Sequence, residues 1–122
     1  MSKKTIMIVD DAKVILKTGK MFLEELYNVI SVEDGFTALA AIQDSKPDLI
    51  LLDIEMPRLN GYETCRMIKA NEYFKETPVI MLSGRDGPFD KAKGKMAGCD
   101  DYLTKPFKKD ILLDTVKKYL KD

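Results

Sequence analysis

Thirteen residues constrain this chain more than any others: Leu49-Ile50-Leu51-Leu52-Asp53-Ile54-Glu55-Met56-Pro57-Arg58-Leu59-Asn60-Gly61. Four consecutive apolar residues run straight into an aspartate. A strand covered on both sides reads this way, because neither face can be polar. Met56-Pro57 stops regular structure, and Asn60-Gly61 is a strong turn signal. Asp53 therefore stands where a buried strand meets the surface. In open parallel sheets, ligands bind just outside the carboxyl ends of the strands. The function then turns on what the other strands bring to that edge.

Other segments repeat the pattern. Ile6-Met7-Ile8-Val9 is a short apolar run ending in Asp10-Asp11 and reads as a buried first strand. A helix is expected from Ala12 to Leu26, with Ile15, Thr18, Phe22 and Leu26 on one face and Gly19 inside it. Tyr27 to Val32 reads as the second strand, punctuated by Asp34-Gly35. A second helix is expected over Thr37 to Gln43, burying Ala38, Leu39 and Ile42. Asp48 to Asp53 is the third strand, and Tyr62 to Asn71 the third helix. Val79-Ile80-Met81-Leu82 is the fourth strand and ends at Ser83. The stretch Gly84 to Gly98 holds four glycines. A helix started near Pro88, with Gly94 inside, should be the least stable of the set. Asp101-Tyr102-Leu103 is a minimal fifth strand before Thr104-Lys105-Pro106. A last helix over Lys108 to Leu120 should bury Leu112, Leu113, Val116 and Leu120. Strands alternating with helices imply an α/β, doubly wound parallel sheet with right-handed crossovers.

The totals exclude several functions. With 122 residues, 45% of them hydrophobic, the chain suits one domain with a real core. Twenty basic and twenty acidic residues cancel, so overall charge gives no argument for nucleic acid or membrane. No apolar run approaches the roughly 20 residues of a spanning helix. No apolar signal core opens the chain, so a cytoplasmic location is expected. Histidine is absent, which removes Ser-His-Asp and Cys-His catalysis and any phosphohistidine within the chain. Cys65 and Cys99 match no metal spacing and read as two buried, reduced thiols. No glycine-rich phosphate loop follows the first strand, which disfavours dinucleotide and P-loop readings.

The strand ends deliver Asp10 and Asp11, then Asp53, Ser83 and Lys105. In a five-stranded sheet of order 2-1-3-4-5, strands one and three are neighbours at the switch point. Three aspartates would crowd there, with Ser83 and Lys105 alongside. Two unit charges about 4 Å apart repel by about 4 kcal/mol at an effective dielectric near 20. Such a site must protonate, recruit a cation, or both. Hard oxygen ligands with room for waters suit Mg²⁺. Lys105 cannot neutralise three carboxylates, but it is suited to meet one incoming anionic oxygen. A carboxylate can be a nucleophile toward phosphorus, and phosphoryl transfer needs mainly positioning and charge neutralisation. Each residue alone has a bland reading: Asp10-Asp11 as a helix cap, Asp53 as a turn residue, Ser83 as a loop cap, Lys105 as a surface lysine. Their coincidence at four strand ends favours a site. The lysines of the last third, Lys91 to Lys121, read as a solvated face or a basic docking surface.

These residues resemble the receiver domain of bacterial response regulators over essentially the whole chain, 1–122. The motifs are Val9-Asp10-Asp11, Leu52-Asp53 with Met56-Pro57 and Gly61, Leu82-Ser83, and Tyr102-Leu103-Thr104-Lys105-Pro106. The flavodoxin-like (βα)5 order 2-1-3-4-5 is that family's own order and does not follow from the spacing. The resemblance implies that Asp53 accepts a phosphoryl group from a sensor histidine kinase or phosphotransfer protein. Asp10, Asp11, Asp53 and the Glu55 backbone carbonyl would hold Mg²⁺. Lys105 would pair with the phosphoryl group, Ser83 would move toward it, and Tyr102 would turn inward behind it. The Lys105-Pro106 peptide would be cis. Gly84 stands where alanine is more usual and would loosen the loop. Glu55 and Arg85 would tune how fast water attacks the acyl phosphate. The segment Leu82 to Gly94, together with Tyr102 to Phe107, is similar to receivers of type IV pilus (twitching) chemosensory systems.

What the resemblance implies is a chemotaxis-type phosphoacceptor in a two-component phosphorelay, catalysing only its own phosphorylation and dephosphorylation. The chain ends after its fifth helix, so no output domain is expected. A downstream protein would bind at the face of the fourth helix, fifth strand and fifth helix. No nucleic acid or membrane insertion is expected. A monomer is expected, with phosphorylation-dependent dimerisation left open. Three other readings stand beside it. A haloacid dehalogenase-type phosphatase needs a second aspartate where Glu55 stands, and a cap domain. A flavin binder needs hydroxyls and glycine after strand one, where Asp10-Asp11 would repel phosphate. A receiver that works without phosphorylation would have no use for the full acidic and lysine set.

Overall fold

The computed structural model describes residues 3–84 and 88–121, with the backbone alone at 88 and 89. Strands and helices alternate: β1 (Thr5–Val9), α1 (Lys13–Leu23), β2 (Asn28–Val32), α2 (Gly35–Ser45), β3 (Leu49–Asp53), α3 (Gly61–Lys69), β4 (Val79–Ser83), α4 (Pro88–Met96), β5 (Asp101–Thr104) and α5 (Lys109–Leu120). All pairings are parallel, in the order β2-β1-β3-β4-β5. This is the expected doubly wound, flavodoxin-like (βα)5 sheet.

The apolar runs make sense once the sheet has helices on both sides. Every residue of β3 and β4 is buried. Successive side chains point to opposite faces of a strand, so each run feeds two cores. Met7, Val9, Ile50, Leu52, Val79 and Met81 pack with Ala38, Ile42, Cys65 and Ile68 from α2 and α3. Ile6, Ile8, Leu49, Leu51, Ile80 and Leu82 pack with Leu16 and Leu23 of α1 and Leu112, Val116 and Leu120 of α5.

Several helix boundaries depart from expectation by one to three residues. α1 stops at Leu23 and not at Leu26, because Tyr27 must enter the second core; Leu26 is left largely exposed. Its buried stripe is Leu16, Gly19 and Leu23, with Ile15 and Phe22 at the edge. Gly19 gives Ile8 room there: a Cβ would lie 2.7 Å from Ile8 Cδ1, and the end of that side chain would have to shift. α2 begins two residues before Thr37. Asp34 is its N-cap, accepting from Thr37 N at 2.7 Å, so Asp34-Gly35 starts a helix as well as ending a strand. Asn60-Gly61 likewise opens α3 through a capping box with Glu63. Leu39 and Leu113 are only half-buried.

Cys65 and Cys99 are both free, the first buried and the second half-buried. Burial pushes their thiols up to about 12 and about 11, so both stay protonated at neutral pH.

The amino ends of the central strands are tied together. Lys69 Nζ donates to Asp100 Oδ2 at 2.8 Å and to the Thr77 carbonyl at 2.7 Å. Asp100 Oδ2 also accepts from Val79 N, and Tyr119 Oη donates to the Asp100 carbonyl, each at 2.8 Å. This joins α3, β4, the α4–β5 loop and α5 at the sheet end opposite Asp53. Among the described residues no helix is long and apolar enough to cross a membrane.

Candidate functional site

Strand register decides which side chains meet. Val9 pairs with Leu52 across β1 and β3, so Asp10 and Asp53 emerge side by side. Asp53 pairs with Leu82, and Ser83 with Thr104. Ser83 and Lys105 therefore follow along the same rim. Asp10 is fully buried, and Asp53 and Ser83 nearly so; Asp11 is exposed.

Two backbone features shape the rim. Asp10 Oδ1 accepts from Ala12 N at 2.9 Å, which fixes its carboxylate as the chain leaves β1. After Asp53 the chain loops out and returns at Gly61, whose N–H donates to the Ile54 carbonyl at 2.8 Å. A Cβ on Gly61 would overlap the Asp53 carbonyl oxygen and lie 2.7 Å from Ile54 Cα. Only glycine lets the loop close this tightly beneath the aspartate.

Carboxylate oxygens of Asp10, Asp11 and Asp53 lie within 4.8 Å of one another. Lys105 Nζ bridges two of them, donating to Asp10 Oδ2 and Asp53 Oδ1, each at 2.9 Å. Asp53 Oδ1 also accepts from Glu55 N at 3.4 Å. Burial pushes the Asp53 carboxyl up to about 6; the Lys105 hydrogen bond opposes this, and the Asp10 charge adds to it. For Lys105, burial pulls downward, but hydrogen bonds and charge from Asp53 and Asp10 outweigh it and hold the ammonium above its ordinary range. One fixed positive charge thus faces three carboxylates. The donors are all hard oxygens, one of them exposed to water, and this set fits a divalent cation such as Mg²⁺.

The other residues singled out from the sequence surround this centre. Lys105 N donates to the Ser83 carbonyl, and the Lys105–Pro106 peptide is cis. Tyr102 is half-buried and packs against the first core. Gly84 is exposed, and among the described residues nothing lies within 4 Å of the place a Cβ would occupy. Glu55 is exposed and lines a cleft of about 230 Å³ with Ile54, Asn60, Tyr62, Ser83, Asp90 and Lys93. Arg85, singled out with Glu55, lies outside the described residues, as does the Asp86-Gly87 part of the motif. Tyr62 and Asp90 carried no signal as site residues, and Lys93 only that of a basic surface, because they join the cleft through space from α3 and α4.

Residues 6–117 match the family model for the response regulator receiver domain. The chain belongs to that family. Receivers of this kind are signalling modules of two-component phosphorelays and work with histidine kinases or phosphotransfer proteins. This receiver is 53% identical to the protein PilG of Pseudomonas aeruginosa, over 94% of its own length and 86% of PilG. Among solved structures it resembles the chemotaxis protein CheY4 of Vibrio cholerae, at 31% identity and a TM-score of 0.92, covering 97% of this chain and 99% of that one. It also resembles the receiver domain of the sensor histidine kinase PA1611 of Pseudomonas aeruginosa, at 31% identity and a TM-score of 0.91, covering 99% and 100%. That structure has magnesium coordinated in its active-site cleft. These relatives place the chain among chemotaxis-type receivers.

Proposed function

We propose that Asp53 is the phosphoacceptor of a Mg²⁺-dependent receiver. In this reading Asp10, Asp11, Asp53 and the Glu55 backbone carbonyl hold the ion. The observation that carries the reading is Lys105 Nζ held 2.9 Å from both Asp10 and Asp53 within a cluster of three carboxylates. Magnesium, when bound, supplies the positive charge that offsets the developing phosphoryl oxygens. The rest is done by the chain. Asp53, with its carboxyl at about 6, is mostly ionised at neutral pH and so nucleophilic. Its carboxylate oxygen forms the new P–O bond as the P–N bond of the donor phosphohistidine breaks, and the departing imidazole takes a proton from solvent. Lys105 Nζ leaves Asp53 Oδ1 for a phosphoryl oxygen, and the Ser83 hydroxyl donates to another. Water later attacks the acyl phosphate, and Glu55 stands at the cleft that water must cross.

The new group adds roughly −1.5 to −2 charge. Ser83 and Lys105, at the ends of β4 and β5, respond to it and bias the α4–β5–α5 face between two states. That face carries a shallow groove lined by Lys91, Tyr102, Pro106, Lys108 and Ile111, where a downstream protein binds. The sequence resemblance to type IV pilus receivers and the identity to PilG support a chemosensory pathway of that kind.

The test is intact mass after incubation with acetyl phosphate and Mg²⁺. Wild type should gain one base-labile phosphoryl group, and Asp53→Ala none. No gain with any small-molecule donor or with a histidine kinase mixture would overturn the reading.

A further inference from the structure

The cleft beside Ser83 is closed on its far side by a contact between two helices. Tyr62 stands at the second position of α3, directly after the glycine that closes the Asp53 loop. Its hydroxyl donates to the Asp90 backbone carbonyl in the first turn of α4, at 3.3 Å. One turn on, Lys93 Nζ lies 5.4 Å from the centre of the Tyr62 ring, a cation–π distance. Tyr62 thus holds α4 at two points, and all three residues line the same cleft as Glu55 and Ser83.

Among its described side chains α4 is thinly packed. Of its residues from Asp90 onward only Gly94 is buried, and Met96 is 83% exposed. By contrast α5 sinks Leu112, Val116 and Leu120 into the second core. A glycine inside a helix weakens its intrinsic support, and few buried side chains weaken its tertiary support. A side-chain clasp can therefore contribute to where such a helix rests.

We propose that Tyr62 is a positioning residue for the phosphorylation switch: it clasps α4 in its unphosphorylated position through Asp90 and Lys93. This rests on the reading of Asp53 as phosphoacceptor. The clasp biases the resting state only, so loosening it shifts the population toward the active state. A ligand that binds the active state then binds more tightly by the same factor. A merely structural role would give the opposite sign, since a damaged site binds less well.

The test compares wild type with Tyr62→Phe, Lys93→Gln and Lys93→Arg in the full chain. Tyr62→Phe keeps the ring and the core contact but removes the donor. The first measurement is amide hydrogen exchange without ligand. Tyr62→Phe and Lys93→Gln should speed exchange over residues 90–97 by roughly three- to tenfold, the net worth of one hydrogen bond or cation–π contact. Residues 6–9 and 112–120 should not change, and Lys93→Arg should behave as wild type. The second is the affinity for beryllofluoride, a phosphoryl mimic, with Mg²⁺. It should tighten by about the same factor in Tyr62→Phe. Unchanged α4 exchange, exchange raised throughout the chain, or weaker beryllofluoride binding would each overturn the clasp. If wild type takes neither beryllofluoride nor a phosphoryl group, the phosphoacceptor reading fails, and the clasp is then judged on the exchange of the unliganded proteins alone.

Discussion

The two halves of the rim are built differently. On the β1–β3 side, Asp10 and Asp53 are buried at the ends of strands covered from Ile6 to Val9 and from Leu49 to Asp53, and Lys105 bridges the two carboxylates. On the β4–α4–β5 side, Ser83 is buried, but from Asp90 to Met96 only Gly94 of α4 is, and Tyr62 bonds to the helix at Asp90. Chemistry needs donors and acceptors fixed to a fraction of an ångström. A switch needs an element with two resting places of similar energy. In the function proposed above, the covered strands would serve the first need and the thinly packed helix the second.

The contrast can be broken most sharply at its rigid side. Asp53→Ala should lose all phosphoryl uptake from acetyl phosphate, read by intact mass, while circular dichroism stays native. Uptake retained at another carboxylate would show the rim to be less selective than its geometry. Next in size is the difference between helices. Leu112→Ala on α5 should destabilise by about 2–5 kcal/mol in urea unfolding, whereas Met96→Ala on α4 should stay within about 0.5 kcal/mol. Equal losses would mean that α4 is packed as firmly as α5.

The third prediction concerns pH. Burial raises the Asp53 carboxyl from 3.8 to about 6 in the folded state. A raised acid contributes stability that is fully present below the unfolded value and lost as pH rises through the folded one. Without Mg²⁺, wild type should therefore weaken relative to Asp53→Asn between about pH 4 and pH 7. The gap should approach about 3 kcal/mol, at 1.36 kcal/mol per unit; the value of about 6 already includes the opposing Lys105 bond. Urea unfolding at pH 4, 6 and 8 measures it, and a gap that ignores pH would remove Asp53 as its source. By the same sign, Mg²⁺ affinity should fall as pH drops through about 6, because protons compete for Asp53. A smaller effect than the pH gap is expected at Asn60, whose capping box starts the helix after the Asp53 loop. Asn60→Ala should cost about 1 kcal/mol and leave phosphoryl uptake in place.

The legible parts of this protein are those written in short, local patterns. Ile6 to Val9, Leu49 to Leu52 and Val79 to Leu82 announce covered strands because four apolar residues in a row leave no wet face. Asp10, Asp53, Ser83 and Lys105 stand out because each directly follows such a run or the brief fifth strand. Helix ends were harder. Asp34-Gly35 and Asn60-Gly61 carry turn chemistry and capping chemistry at once, and only the fold chooses between them. Ile15, Thr18, Phe22 and Leu26 have helical spacing, yet the buried stripe lies one residue over, where Gly19 admits Ile8. Away from the strand ends, side-chain contacts between distant segments left no trace. Tyr62 meets Asp90 across 28 residues and Lys69 meets Asp100 across 31, and no spacing rule reaches so far.

The Lys69–Asp100–Tyr119 tie has a mechanical consequence. It pins α3, β4, α5 and the loop between α4 and β5 at the end of the sheet away from Asp53. If the rim shifts on phosphorylation, an anchor at that end favours a tilt over a slide, and a displacement begun at Ser83 should be greatest beside the cleft and smallest near Asp100.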